Sequence, residues 1–360
     1  MSDIKNMIGE SINRIFSQKI DRRVLDAAES GEWPKSLWDV ICESSFGDVL
    51  VADSVEEADG KWADAYPVFH AIGFHRAPLP LSETIIANAL LRQVGLPSSA
   101  GPTSILQQQP DDRFYLQLNG GHLLLTGTAS AVPWARASRT ILVAGRIGDD
   151  QIIGLIDTNS PGVSIEAGVN LAKEPRDKVT FNASACRAFA ICDRSLPDAP
   201  VMLYGALARA AMLAGAAESV LRESVQYAND RIQFGRPIGK FQAIQQSLAM
   251  LAGEVVSAQT VTLAAHEAAT TSPSQFDVAV AKIRAGQAAG VAANIAHQVH
   301  GAIGFTYEHS LHYATRRLWS WRAEFGAEAV WAERLGKDAI RRRGANFWAD
   351  LTHRGGNRDC

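Results

Sequence analysis

The chain has 360 residues, 47% of them hydrophobic, which is enough for two or three domains and a sizeable core. Its 35 basic and 38 acidic residues leave a formal net charge of -3, so nothing general draws it to nucleic acid or to an anionic membrane, and a small-molecule partner fits better. The four cysteines, Cys42, Cys186, Cys192 and Cys360, have no CxxC spacing, which argues against both a zinc site and a disulfide framework and fits reduced thiols.

The N-terminus, MSDIKNMIGESINRIF, alternates charged with apolar residues and lacks the apolar core of a signal peptide. No stretch reads as the roughly 20 apolar residues that span a bilayer, so the expectation is a cytoplasmic protein with no membrane partner. Ile4, Ile8, Ile12 and Ile15 recur at helical spacing, and Val24, Leu25 and Ala28 continue it. KSLWDVICESS follows Pro34 as another helix, then WADAYPVFHAIGFH and SETIIANALLRQVG, with Ser82 as N-cap and Gly95 as C-cap. A helical domain is expected over 1–104.

At LPSSAGPTS the texture changes. RFYLQL, GHLLLTG, RTILVAGRI, QIIGLIDT, KVTFNA and CRAFAIC are short runs parted by NGG, GDD and SPG turns, which predicts a small β-sheet domain over 105–195, closed by PDAP. From Val201 the chain is helical again. VMLYGALARAAMLAGAAESVLRESVQYANDR has no proline and many small residues suited to close packing. FQAIQQSLAMLAGEVVSAQTVTLAAHEAAT, SPSQFDVAVAKIRAGQAAGVAANIAHQVHG and SLHYATRRLWSWRAEFGAEAVWAERLGKDAIRRR follow with short connections. Together they predict a four-helix bundle over 196–345 and a polar tail at 346–360. The fold class is therefore α+β, mainly α: an N-terminal helical domain, a middle small β-sheet domain and a C-terminal four-helix bundle.

Two segments invite a chemical reading. DRIQFGRPIGKF breaks one helix and launches another, setting Arg231 and Arg236 beside the unpaired N–H groups of a helix start, where a phosphate could sit. An ordinary interhelical turn with solvated arginines is the alternative. In HGAIGF, Gly301 and Gly304 would let backbone approach a ligand, or would simply cap a helix and turn the chain. The histidines His70, His75, His266, His297, His300, His309 and His312 show no metal-ligand spacing, so no metal is expected. Gln242 and Gln246 share one helix face and read as structural or interfacial.

In combination, RIQFGRPIGKFQAIQQSLAML and HQVHGAIGFTYEHSLHYATRR resemble the two C-terminal signatures of the acyl-CoA dehydrogenase family, in the order and domain setting of that family. The resemblance is strongest over 200–340. It implies FAD between the β domain and the bundle, with the ADP part of the cofactor reaching a neighbouring subunit. It carries ADP contacts to Arg231, Gln233 and Phe234, and a second patch to Gln298, Gly301 and Gly304. The implied reaction is α,β-dehydrogenation of an acyl-CoA thioester, in which a carboxylate takes the α proton and the β hydride passes to flavin N5. The implied partners are an acyl-CoA, an electron-transfer flavoprotein or other acceptor, and further chains in a homo- or hetero-oligomer, dimer or tetramer.

The sequence departs from the family where chemistry matters most. Aligning on LGKDAI puts Phe325 at the place of the catalytic glutamate with Gly326 in register, so Glu324 is the base only with a one-residue shift, and Glu328 lies four beyond it. The family's other base position falls at Gly205 or Ala206, neither an acid. Thr126, Ser130 and Trp134 are the loosely matching candidates for flavin neighbours in the β domain, with core packing the alternative for Trp134. Some members are heteromers acting on bulky acyl chains such as those of steroids, with the base on one chain only. The resemblance therefore implies either a dehydrogenase subunit with its own base or a base-deficient partner or scaffold subunit that lends FAD contacts, which bears on lipid or steroid degradation.

Overall fold

The computed structural model describes residues 3–51, 62–192, 196–271 and 274–341. The tail at 346–360 and Cys360 lie outside the described residues. Among the described residues, five α-helices come first: α1 (Asp3–Lys19), α2 (Arg22–Glu29), α3 (Lys35–Glu43), α4 (Trp62–His75) and α5 (Leu81–Gln93). The isoleucine stripe of α1 turns Ile12 inward, fully buried with Phe16, while Ile4, near its start, stays exposed. Ser82 does not cap α5, which starts at Leu81 after Pro80. Its hydroxyl is buried and turned to an ion pair instead.

Eight strands follow: β1 (Thr103–Leu106), β2 (Arg113–Asn119), β3 (His122–Pro133), β4 (Thr140–Ile147), β5 (Asp150–Asp157), β6 (Val163–Glu166), β7 (Arg176–Ala185) and β8 (Ala188–Cys192). They form two four-stranded sheets, ordered β1-β4-β5-β8 and β2-β3-β7-β6, with β1 parallel to β4 and the other pairs antiparallel. Leu123, Leu125, Ile141, Val143, Ile152 and Phe181 alternate inward to make the core between the sheets. The pairing of β3 with β7 slips between Ala129 and Val132, a bulge that pushes Ser130 and Ala131 out of the ladder.

The remaining chain is α6 (Pro200–Asp230), a two-residue hairpin of β9 (Ile232–Gln233) and β10 (Arg236–Pro237), α7 (Gln242–Ala269), α8 (Gln275–His300), a 3-10 turn at Gly301–Phe305, α9 (Leu311–Ala323) and α10 (Glu328–Arg341). Ser274 caps α8, its hydroxyl accepting from the Asp277 N–H. The helix α6 is the axis of the molecule, buried along almost its whole length between α4, α7, α8 and α9. Its small residues permit this. Gly215 on α6 faces the backbone of His70, and Gly73 on α4 faces the backbone of Met212, so neither position has room for a methyl group.

By length and composition two helices, α6 and α7, reach what a bilayer crossing needs, contrary to the expectation from sequence. The apolar window of α6 is 94% buried in the bundle, which makes it a core helix here. That of α7 is 28% buried, and the helix shows solvent an apolar face that includes Met250 and Val256.

Candidate functional site

A cavity of about 980 Å³ opens where the β domain meets the bundle. Its walls are the end of β1 with three consecutive glutamines, Gln107 to Gln109, the β3 bulge at Ala131, the loop before β7 with Asn170, the start of α6 at Met202, and the α9–α10 turn. Asp112, almost fully buried, shapes the glutamine wall: its carboxylate accepts from the Gln109 N–H at 2.8 Å and from both the N–H (2.8 Å) and hydroxyl (2.6 Å) of Ser130. This one carboxylate pins the end of β1 to the bulge. The side-chain amides of Gln107 and Gln108 have no protein partner among the described residues. Carboxamides both donate and accept, which suits a polar heterocycle rather than a purely apolar ligand.

Glu324 is the one carboxylate among the described lining residues of this cavity. It ends α9, and its two oxygens are already engaged. Oε1 accepts from Arg176 Nε at 2.7 Å and Asn170 Nδ2 at 3.2 Å, and Oε2 accepts from Arg209 Nε at 2.7 Å. Arg209 goes on to pair with Glu83 and to donate to Ser82 Oγ. Arg176 reaches Glu174, which also takes the Arg317 guanidinium at 3.1 Å and the Trp321 indole at 2.8 Å. Three carboxylates and three guanidiniums thus balance in a largely buried chain joining α5, α6, the β domain and α9. Burial alone pushes the Glu324 carboxyl up, but Arg176 and Arg209, with hydrogen bonds from Arg209 and Asn170, outweigh it and hold it below the ordinary glutamate value.

The next residue closes the floor. Phe325 and Gly326 both adopt left-handed backbone, φ 51° and 89°, which makes the α9–α10 connection a tight reversal. The Phe325 carbonyl accepts the Trp331 indole N–H at 2.9 Å, and Lys282 Nζ donates to the carbonyls of Arg322 (2.7 Å) and Gly326 (2.8 Å). So held, the Phe325 ring is 3% exposed and lies on Gly205, where any side chain would overlap it. The Arg209 guanidinium sits 5.3 Å from the ring centroid. Both positions at which the sequence invites a search for a base therefore meet in one aromatic contact. Glu328 points elsewhere, pairing with Arg322 beside Gly286.

The three β-domain candidates do not line the cavity among the described residues. Thr126 accepts from the Ala183 N–H within the β2-β3-β7-β6 sheet. Ser130 stands next to the lining residue Ala131 but is tied to Asp112. Trp134 is 6% exposed, its backbone N–H donating to the Pro175 carbonyl.

The six bundle candidates cluster at the opposite end of α6. Met202 and Asp230 are 28 residues apart on that helix, about 40 Å at helical rise. Tyr227, near its far end, stacks on His300 at 4.4 Å between centroids, so the hairpin after α6 and the 3-10 turn after α8 share one end of the bundle. Arg231, Gln233 and Phe234 are exposed there, Phe234 at 92%. Neither Arg231 nor Arg236 has an acidic partner among the described residues, while Arg236 lies 4.3 Å over the Phe241 ring. Gln298 and Gly301 are exposed, and Gly304 is buried under His300 and Leu311. Gly301 has φ 64° and ψ -144°, a conformation open essentially to glycine only.

Sequence reasoning missed Asp112, Arg209, Arg176 and Glu174. They lie in different elements and have no shared period.

Comparison with known proteins gives the setting. Residues 201–340 match the family described as acyl-CoA dehydrogenase, C-terminal domain. The acyl-CoA dehydrogenase IpdE2 of Mycobacterium tuberculosis is 26% identical over 347 residues, covering 96% of this chain and 97% of that protein. Among solved structures, the ChsE4-ChsE5 complex of Mycobacterium tuberculosis superposes with a TM-score of 0.86 at 20% identity, over 94% of this chain and 98% of that one. PigA with FAD and proline gives a TM-score of 0.82 at 17% identity, over 95% and 99%.

Proposed function

The chain belongs to the acyl-CoA dehydrogenase family, and from that premise we propose that it works in FAD-dependent α,β-dehydrogenation of an acyl-CoA thioester as one subunit of a mixed assembly. In this reading it lends cofactor contacts, and the proton-abstracting carboxylate belongs to another chain. The observation that carries the reading is Glu324: the only acid among the described residues of the cleft wall is spent on two guanidiniums and an amide. A carboxylate so paired is stabilised as the anion and gains little from taking a proton.

The far end of the bundle fits the diphosphate part of FAD. Arg231 offers an exposed guanidinium with no acid partner among the described residues, and Gly301 gives backbone that a ligand can approach with nothing in the way. No dinucleotide bridges the roughly 40 Å back to this chain's own cleft. Arg231, Gln233, Phe234, Gln298 and Gly301 therefore serve a cofactor whose ring lies in a neighbouring chain, whereas Gly304, the sixth candidate from sequence, is buried under His300 and Leu311 and packs the turn instead. When bound, FAD supplies the acceptor for the hydride that leaves the β carbon. The protein's part is to hold the diphosphate by Arg231 and by glycine backbone, while the other chain's carboxylate receives the α proton. ChsE4-ChsE5, a complex of two chains, offers a precedent for such an assembly, and PigA for FAD in this fold.

The test is Glu324→Gln in the purified assembly, with flavin content and acyl-CoA-driven flavin reduction measured together. The expected result is a less stable protein whose reduction rate per bound flavin is unchanged. Loss of reduction with flavin retained would make Glu324 the base after all.

A further inference from the structure

The cleft that lacks a free base still carries a cation with no acid to neutralise it. Arg334, on α10, lines the 980 Å³ cavity, half-buried over the Trp331 ring at 5.0 Å to its centroid. Its one hydrogen-bond acceptor among the described residues is the Met202 thioether, 3.1 Å from Nη2, and sulfur is a weak acceptor. Arg176, the other guanidinium on the wall, is paired with Glu174 and Glu324. Among the described residues, Arg334 is therefore the one unneutralised charge facing this space. Met202 has a second role: with Gln107 and Gln108 it also lines an adjoining cavity of about 460 Å³ that runs along β4 and β5 to Arg146. Arg334 thus touches, through Met202, the wall that the two cavities share.

We propose that the 980 Å³ cleft binds an anionic acyl thioester without turning it over, and that Arg334 receives an anionic oxygen group of that ligand. The class of ligand rests on the reading above; the site itself rests on the cleft wall and its unneutralised guanidinium. A guanidinium already stacked on an indole loses little freedom on binding, and its planar edge suits a carboxylate or a phosphate. Either source is compatible with this chemistry: a carboxylate on the acyl group, or a phosphate of the coenzyme A part.

The experiment uses the purified full chain, loaded with whatever flavin it retains, and measures equilibrium binding of butyryl-CoA, glutaryl-CoA and free coenzyme A by calorimetry. The variants are Arg334→Gln and Arg334→Lys, each checked for native circular dichroism. If the carboxylate is the anion, Arg334→Gln weakens glutaryl-CoA at least tenfold and leaves butyryl-CoA unchanged; if the phosphate is, all three weaken together. In both cases Arg334→Lys should be intermediate, and this keeps the test intact should the glutamine variant fail to fold. Equal binding by the variants and the parent for every probe overturns the proposal. So does loss of flavin in parallel with the probes, because Arg334 would then serve the cofactor. A parent that binds no probe removes the site while leaving the cross-chain cofactor contact untouched, since that is read from flavin content and not from these probes.

Discussion

His266 has one nitrogen satisfied and one not. Nδ1 lies 2.8 Å from the Thr262 carbonyl and so carries the proton, while Nε2 is buried with no partner, the ring being packed against those of Trp62, Tyr66 and Phe69. Burial, with Lys5 assisting and the Thr262 bond opposing, pulls its pKa down from 6.5 to about 4, and burial beside Arg76 does the same to His75. A base whose folded pKa lies below its unfolded value is protonated first in the unfolded chain. The stability these two contribute is present above pH 6.5 and is lost as pH falls from about 6.5 to 4. Glu218, held at about 2 chiefly by its hydrogen bond with His70, adds a loss only below about 4.5. We predict that the melting temperature drops across the upper window and that His266→Leu makes the drop shallower. Parallel curves for the two proteins would assign the acid sensitivity elsewhere. None of this was legible in the sequence, where His266 is one of several histidines without ligand spacing. Glu324 is the same kind of case: its register could be counted, but Arg176 and Arg209 come from 148 and 115 residues away.

At the scale of elements the sequence was more informative, because periodicity is a local property. The long helices of the bundle are nearly continuous apolar and small-residue runs, and six of the eight β-domain strands appear as runs between turn clusters. The two not read, β1 and β6, have four residues each, too few for a period to stand out. The reason α6 is rich in glycine and alanine is visible only in the fold, where it crosses α4 with backbone nearly touching backbone. Gly215→Ala would drive its methyl into the His70 carbonyl, so α4 and α6 must separate, at a cost of about 1–3 kcal/mol. Gly253 on α7 has open space around it and no positive φ. There the same substitution should raise helix stability by about 0.5–1 kcal/mol. Denaturant unfolding of both variants checks the pair, and a mild Gly215→Ala would show that the crossing is loose.

For the molecule as a whole, α6 acts as a spacer whose two ends have different tasks. Its start borders the cleft at Met202, and its last turn leads into Arg231. The hairpin beyond it exposes Ile232 and Phe234, at 62% and 92%, and α7 continues this apolar exposure with Met250 and Val256, both at 60%. Large exposed apolar groups and two guanidiniums that have no acid partner among the described residues are costly to leave in water, and under the proposed function a neighbouring chain that brings a diphosphate would meet both needs. The helix–sheet–helix order was legible from sequence; that this end of the bundle lies far from its own cleft was not, since it depends on the length of one buried helix and on what packs at each of its ends. If the reading is right, Arg231→Ala should lower flavin per assembled oligomer severalfold while leaving the melting temperature of the separated chain unchanged, because the side chain is exposed and supports nothing in its own fold. Flavin content equal to that of the parent would mean that the hairpin only packs against its neighbour. In that case the cofactor contacts would have to be sought at the cleft, around Gln107 and Gln108.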